Sequence, residues 1–425
     1  MKIEFDIKPY QACMDVKVSY EKEEIHQDYF YLNRDFVINR CFADDAEYDI
    51  TKETELVALE NWGYEVNKYM LPKSFENIVI EYTGYLTGKT GSCPYVREII
   101  SPEFVFIRWE TFCYPIFFNE NVTLQQFLQT RLNIDVTVIM PDEFIAVSCA
   151  PETASYVENG VKIQKFFSDR NDTSVAVAKY TIKKLSIGTF YLLSEINNTE
   201  LETKMTMTHN FMNEHFGVRN INSRVNYAAI PNKFGSFATY ITVFIDEVAL
   251  ETIKTMNHII HEFIHLGWNV KADEETQGIR FFDEAFTSYF EMRVMEYLLK
   301  DNCRYNDQAV TGRYDLQEKI DAYKNQITGD YDRNIPIADF GKHRYGDLSY
   351  TIGAICLYKL SEFVGIDVFD EATRIFLQKY KDTPVNIETF CNEYTKLCGK
   401  PELEQFFKDW IYTATGPKSF IESYL

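Results

Sequence analysis

Hydrophobic and polar positions change their rhythm partway along this chain. Up to about residue 195 the apolar positions come in short runs, many alternating with polar ones. Ile78-Val79-Ile80-Glu81-Tyr82-Thr83-Gly84-Tyr85-Leu86 is rich in β-branched and aromatic residues and runs into a turn signal at Thr87–Gly91. Val136–Met140 ends at Pro141-Asp142, and Ser174–Tyr180 and Gly188–Leu193 read as further strands. Many short strands with turn signals between them predict an antiparallel sandwich. After Asn197-Asn198-Thr199 the apolar spacing becomes helical. Helices are expected over 200–216, 283–300, 349–363, 368–380, 387–397 and 402–413, with one strand-like run at Phe237–Ile245. The pattern predicts an α+β chain with an N-terminal β domain over 1–196 and a mainly helical domain over 197–425.

Composition narrows the classes. With 425 residues, 46% hydrophobic and 16% aromatic, the chain can bury large cores and is not disordered. A net charge of -21 argues against nucleic acid and anionic membrane surfaces as partners. No stretch of eighteen apolar residues suggests a membrane span. The polar–apolar alternation from Met1 to Asp6 shows no secretory signal. The nine cysteines are scattered without a Cys-x-x-Cys pair, so they read as reduced packing residues of a cytoplasmic protein.

The chemistry concentrates in one segment. Residues 261–265 read His-Glu-Phe-Ile-His, within an amphipathic pattern set by Ile253, Met256, Ile260 and Phe263 and stopped at Gly267. Positions i and i+4 share one helix face, so His261 and His265 can reach a single metal ion. Glu262, one residue further round, can face a water at that metal as general base. Eighteen residues after His265 comes Glu284, a candidate third ligand. Three protein ligands and one position left to solvent characterise a catalytic zinc, one ion per chain, rather than a structural one. His258 lies one turn before His261 and reads as a structural histidine. Glu291 reads either as a solvated carboxylate or as a group that orients a ligand.

Together these residues resemble the alanyl aminopeptidase family of zinc peptidases, the gluzincins that include leukotriene hydrolases. That family carries His-Glu-x-x-His, eighteen residues, then Glu in a context similar to Asp283-Glu284-Ala285-Phe286-Thr287-Ser288-Tyr289-Phe290-Glu291. Its Tyr-x-Lys-Gly-Ala element is matched by Tyr350-Thr351-Ile352-Gly353-Ala354, with Ile352 in place of the lysine. Phe406–Ile411 with Gly416-Pro417 is similar to the end of its catalytic domain. The resemblance implies a saddle-like N-terminal β domain and a thermolysin-like catalytic domain with a small mixed sheet. It implies that Tyr350 donates to the oxyanion of the tetrahedral intermediate; read alone, Tyr350 is one of 29 tyrosines and as readily a packed one.

Two departures shape the expected activity. The family's Gly-x-Met-Glu-Asn segment, whose glutamate grips a substrate's α-amine, is matched by Gly235-Ser236-Phe237-Ala238-Thr239, with Ala238 at the glutamate position. The chain also stops where the family continues into a helical C-terminal domain, which implies a short form with a more open channel. The expectation is a zinc peptidase of short peptides, aminopeptidase-like, with Gly235, Ser236, Phe237 and Ala238 touching substrate. The alternatives are a zinc hydrolase of blocked peptides or of a non-peptide ester or epoxide, and a non-catalytic peptide-binding module.

Overall fold

The computed structural model describes the chain except for residues 26, 53–56, 60–63, 86–98, 118–130, 172, 219–224, 240, 253–254, 269, 273–279, 300–314, 330, 344, 382 and 425. The turn expected at Thr87–Gly91 lies outside the described residues. The chain forms two compact units. One comprises Met1–Asn197 with Ser223–Val248, and the other Asn198–Asn222 with Ala249–Leu425.

The first unit is built of β-sheets. Its largest sheet has eight strands, in the spatial order Glu152–Glu158, Val161–Ser168, Ile134–Pro141, Lys2–Lys8, Cys13–Glu21, Asn77–Gly84, Val37–Ala43 and Ala46–Glu47. Alternation decides which face is buried: Ile3, Phe5 and Ile7 point inward while Lys2 and Glu4 face solvent. Those inward residues share a core with Phe30 and Leu32 of a second sheet and with Val105, Ile107, Val175 and Val177 of a third. The third sheet is covered on its other face as well. There Phe104, Phe106, Ala176 and Ala178 pack with Ala228, Ile230 and Phe244 of a five-stranded sheet. This two-sided burial explains why Val175–Ala178 is apolar without alternation.

Among the described residues of the first unit, strand direction departs from the antiparallel expectation in three pairs. Lys2–Lys8 runs parallel to Ile134–Pro141, and Asn226–Ile230 runs parallel to both Gly188–Leu192 and Thr242–Asp246. Alternation marks a strand's faces but carries no information about a partner joined through a long excursion. The run Phe237–Ile245 is also not one strand. Phe237–Thr239 forms the edge of the five-stranded sheet and pairs antiparallel with Thr242–Asp246, Thr239 opposite Thr242. Tyr240 and Ile241 are strand-forming types without the Gly, Asn or Pro that announces a turn, so periodicity alone reads straight through them.

The second unit is helical: α1 (Leu201–Phe216), α2 (Asn257–Gly267), α3 (Phe286–Leu299), α4 (Leu316–Thr328), α5 (Ile352–Val364), α6 (Ile366–Tyr380) and α7 (Ile387–Cys398), with short helices at Leu403–Phe407 and Thr415–Glu422. Helix α4 and the last helix were not foreseen; of α4 only Ile320 and Tyr323 are buried, too faint a stripe to read. Helix α3 is buried on every side from Phe286 to Glu296, as expected of a central helix. Its buried charges therefore need partners. Arg293 forms a two-pronged ion pair with Asp370 of α6, and its guanidinium lies over the rings of Phe211 and Phe216.

Candidate metal centre

Helix α2 places the two histidines. Met256, Ile259, Ile260, Phe263 and Ile264 are buried, which anchors one face and leaves the one-turn separation of His261 and His265 to bring their rings side by side. The helix closes at Gly267, and Trp268 pins its end by donating from its indole nitrogen to the Phe282 carbonyl at 2.6 Å.

Glu284 comes from a different local structure. Residues Phe281–Ala285 form a π-helical turn leading into α3, a wider coil that is frequent at functional sites. Helix α5 packs closely on this turn because Gly353 has no side chain; a Cβ there would lie 2.8 Å from the Cβ of Ala285. The turn delivers Glu284, only 5% exposed, to the two imidazoles.

The three donors form a triangle. His261 Nε2 and His265 Nε2 are 3.2 Å apart, and Glu284 Oε2 lies 3.2 Å from the first and 3.4 Å from the second. Ligands about 2.0–2.1 Å from a tetrahedral centre are separated by about 3.3–3.4 Å, so these atoms match one face of such a site. Two imidazoles and a carboxylate are also a donor set suited to zinc. Among the described residues this is the one group of histidine, cysteine and carboxylate side chains arranged to hold a metal ion.

Each histidine is oriented from behind. His261 Nδ1 lies 2.9 Å from Glu291 Oε2, and Asn257 donates to the other oxygen of Glu291 at 3.2 Å. His265 Nδ1 lies 3.0 Å from Asp283 Oδ1. A proton on each Nδ1 satisfies these carboxylates and leaves the Nε2 lone pairs facing the shared centre.

Electrostatics follow from burial and these contacts. Burial works against the charge of Glu284, but hydrogen bonds from His261 and His265, with Arg280 alongside, hold it well below the usual carboxylate range. Burial likewise opposes protonation of His261, yet Glu284 and Glu291 outweigh it and raise that imidazole to about 9. Glu262 is half-buried, and burial raises its pKa, countered in part by the two histidines. Among the described residues no hydrogen-bond partner meets the Glu262 carboxylate. Tyr350 ends a 3-10 turn, Gly346–Tyr350, just before α5. Its ring lies 5.9 Å from that of His261 at 19°. Burial and Glu284 keep its hydroxyl protonated well above the ordinary tyrosine range.

The remaining sequence candidates lie on other elements. Gly235, Ser236, Phe237 and Ala238 belong to the first unit, where Gly235 takes φ +82° and Phe237–Thr239 is a sheet edge. His258 faces solvent and is neither a ligand nor a packed structural residue. Three participants were missed or undervalued: Arg280, which donates to Glu284 Oε1 at 2.5 Å and to the Tyr350 hydroxyl at 2.8 Å, Asp283, and Glu291. The signal was present for two of them. Arg280 stands four residues before Glu284 and Glu291 seven after it, spacings that share a helix face.

Residues 206–410 match the family model described as Peptidase family M1 domain. No curated protein matches the chain in sequence. Among solved structures, the chain is similar to an M1 zinc metallopeptidase from Deinococcus radiodurans (TM-score 0.62, 12% identity, 96% of this chain and 92% of that one). A mutant of that protein bound to a Tyr-Ser-Ala substrate superposes with TM-score 0.64 at 12% identity, over 96% and 92% of the two chains. An aminopeptidase N family protein from Idiomarina loihiensis reaches TM-score 0.71 at 12% identity, over 97% of this chain and 76% of that one. At such identity these likenesses establish the fold. The triangle of donors lies inside the segment, residues 206–410, that resembles the Peptidase family M1 domain.

Proposed function

We propose that this protein is a zinc-dependent peptidase that hydrolyses short peptides, aminopeptidase-like in its choice of bond. The observation that carries this reading is the donor triangle of His261, His265 and Glu284 with Glu262 and Tyr350 beside it. Zinc held there supplies a Lewis acid and water acidified towards a pKa of about 7. Glu262 takes the proton of the attacking water and passes it to the leaving amine; its raised pKa suits a group that must hold a proton between the two steps. Tyr350 keeps its own proton and donates a hydrogen bond to the oxyanion. The Tyr-Ser-Ala ligand of the Deinococcus relative supports peptides as the substrate class.

A specific observation favours a second reading. Ala238 stands where the resembled family places the glutamate that grips a free amine, and it offers no charge. Blocked peptides, or a non-peptide ester, are therefore the competing substrates of the same hydrolytic centre.

The test is metal analysis with paired free-amine and N-acetylated peptides, on wild type and Glu262→Gln. The expected result is zinc in both proteins, turnover of free-amine peptides by wild type, and a loss of about 10²–10⁴-fold in the variant. Preference for the acetylated series would move the assignment to the second reading. Equal turnover by both proteins would remove Glu262 from its role.

A further inference from the structure

Arg280 joins the two sides of the candidate centre through one nitrogen. Its Nη2 donates to Glu284 Oε1 at 2.5 Å and to the Tyr350 hydroxyl at 2.8 Å, which uses both hydrogens of that amino group. The guanidinium carbon lies 5.5 Å from the centroid of the Tyr350 ring. Room for the arginine stem is provided by Gly346, the first residue of the turn that carries Tyr350. A Cβ on Gly346 would sit 2.5 Å from Arg280 Cδ and 3.2 Å from Cγ. Glycine, arginine and tyrosine are thus fitted to one another at the start of α5.

We propose that Arg280 is a positioning residue that holds the Tyr350 hydroxyl in the orientation needed to bind the oxyanion, and that holds Glu284 to a single metal-facing oxygen. This rests on the peptidase reading given above for its consequence in turnover. The reasoning is one of hydrogen-bond inventory. A tyrosine hydroxyl accepts through its lone pairs and donates one proton. Arg280 occupies a lone pair, so the phenol's own proton points away from the arginine; the Glu284 carboxylate also meets this hydroxyl, and it is the acceptor that a substrate oxygen would replace. At Glu284 the arginine occupies Oε1 and leaves Oε2 to face His261 and His265. A planar guanidinium can serve both acceptors at a fixed angle, which a lysine ammonium on a flexible stem cannot.

The experiment compares zinc-loaded wild type with Arg280→Met, Arg280→Lys, Gly346→Ala, Tyr350→Phe and the Arg280→Met/Tyr350→Phe double variant. Three quantities are read: bound zinc, kcat and KM on a free-amine peptide, and the position of Tyr350 in crystals of each variant. The expected result for Arg280→Met is retained zinc, a kcat lower by about 10–100-fold with KM little changed, and a displaced Tyr350 ring. The double variant should be no slower than Tyr350→Phe, since both substitutions remove the same interaction. Arg280→Lys should recover only part of the loss. Gly346→Ala, which disturbs the arginine without altering its charge, should lower kcat in the same direction and stands in if Arg280→Met does not fold.

Multiplicative losses in the double variant, full recovery by lysine, or a Tyr350 that stays in place without Arg280 would each overturn the inference. If wild type binds zinc but cleaves no peptide, the peptidase reading fails, while the crystals of Arg280→Met and Gly346→Ala still decide whether Arg280 positions Tyr350.

Discussion

Glu291 lies seven residues beyond Glu284 and meets His261 Nδ1 at 2.9 Å, so the π-turn and the helix that continues it bring two carboxylates to the same histidine, one at each ring nitrogen. Glu291 is 8% exposed, and burial works against its charge; Lys319 and the hydrogen bond from His261 nevertheless hold its pKa down. Carboxylates in this position fix the imidazole tautomer and strengthen the ligand.

Glu291→Gln should therefore weaken metal binding without removing a ligand. The expected loss is about 10–100-fold in zinc affinity, measured by competition with a chelator of known strength. An unchanged affinity would show that His261 is oriented by the helix alone.

Metal uptake should release protons. In chelated protein His261 is raised to about 9 and His265 well above its ordinary value. Burial opposes both shifts, but Glu284 and Glu291 outweigh it for His261, and Asp283 and Glu284 do so for His265. Both rings therefore favour the protonated form at neutral pH, and zinc must displace protons to bind. Glu284 is already ionised and contributes none. Zinc affinity should thus fall about tenfold for each pH unit below neutrality per proton displaced, and the dependence on His261 should flatten above about 9. Calorimetric titration in buffers of differing ionisation enthalpy measures the release; heats independent of buffer would refute it.

The Arg293–Asp370 pair should dominate the stability of the helical unit. Arg293 is 1% exposed, is enclosed by Phe211 and Phe216, and shares Asp370 with His215 Nδ1 at 2.8 Å. Asp370→Ala leaves a buried guanidinium without its counter-charge and should cost about 3–5 kcal/mol in denaturant unfolding. The double variant Arg293→Met/Asp370→Leu removes both charges and should recover much of that loss. Equal damage in both would mean that the packing, rather than the lost charge balance, sets the cost.

Gly353→Ala probes the join between α5 and the π-turn. The added methyl meets Ala285 Cβ at 2.8 Å, too close for contact, and overpacking of this kind costs about 1–3 kcal/mol. A lower melting temperature together with weaker zinc binding is expected, because the turn that moves is the one carrying Glu284. Loss of stability with unchanged zinc affinity would separate the turn from the metal centre.

What could be read from the residues alone was local. The return of His261 and His265 to one side of a helix depends only on 3.6 residues per turn, and the inward face of Lys2–Lys8 only on alternation, so both were visible in the order of side chains. The family likeness added where Glu284 and Tyr350 belong along the chain. Tertiary structure decided everything that depends on which segments meet. It set Lys2–Lys8 parallel to Ile134–Pro141, folded Phe237–Ile245 into a hairpin at a sheet edge, buried Arg293 against Asp370, and turned Arg280 towards both Glu284 and Tyr350. Spacing constrains neighbours a few residues apart; the partner of a strand edge or a guanidinium far along the chain is chosen by the packing of the whole unit.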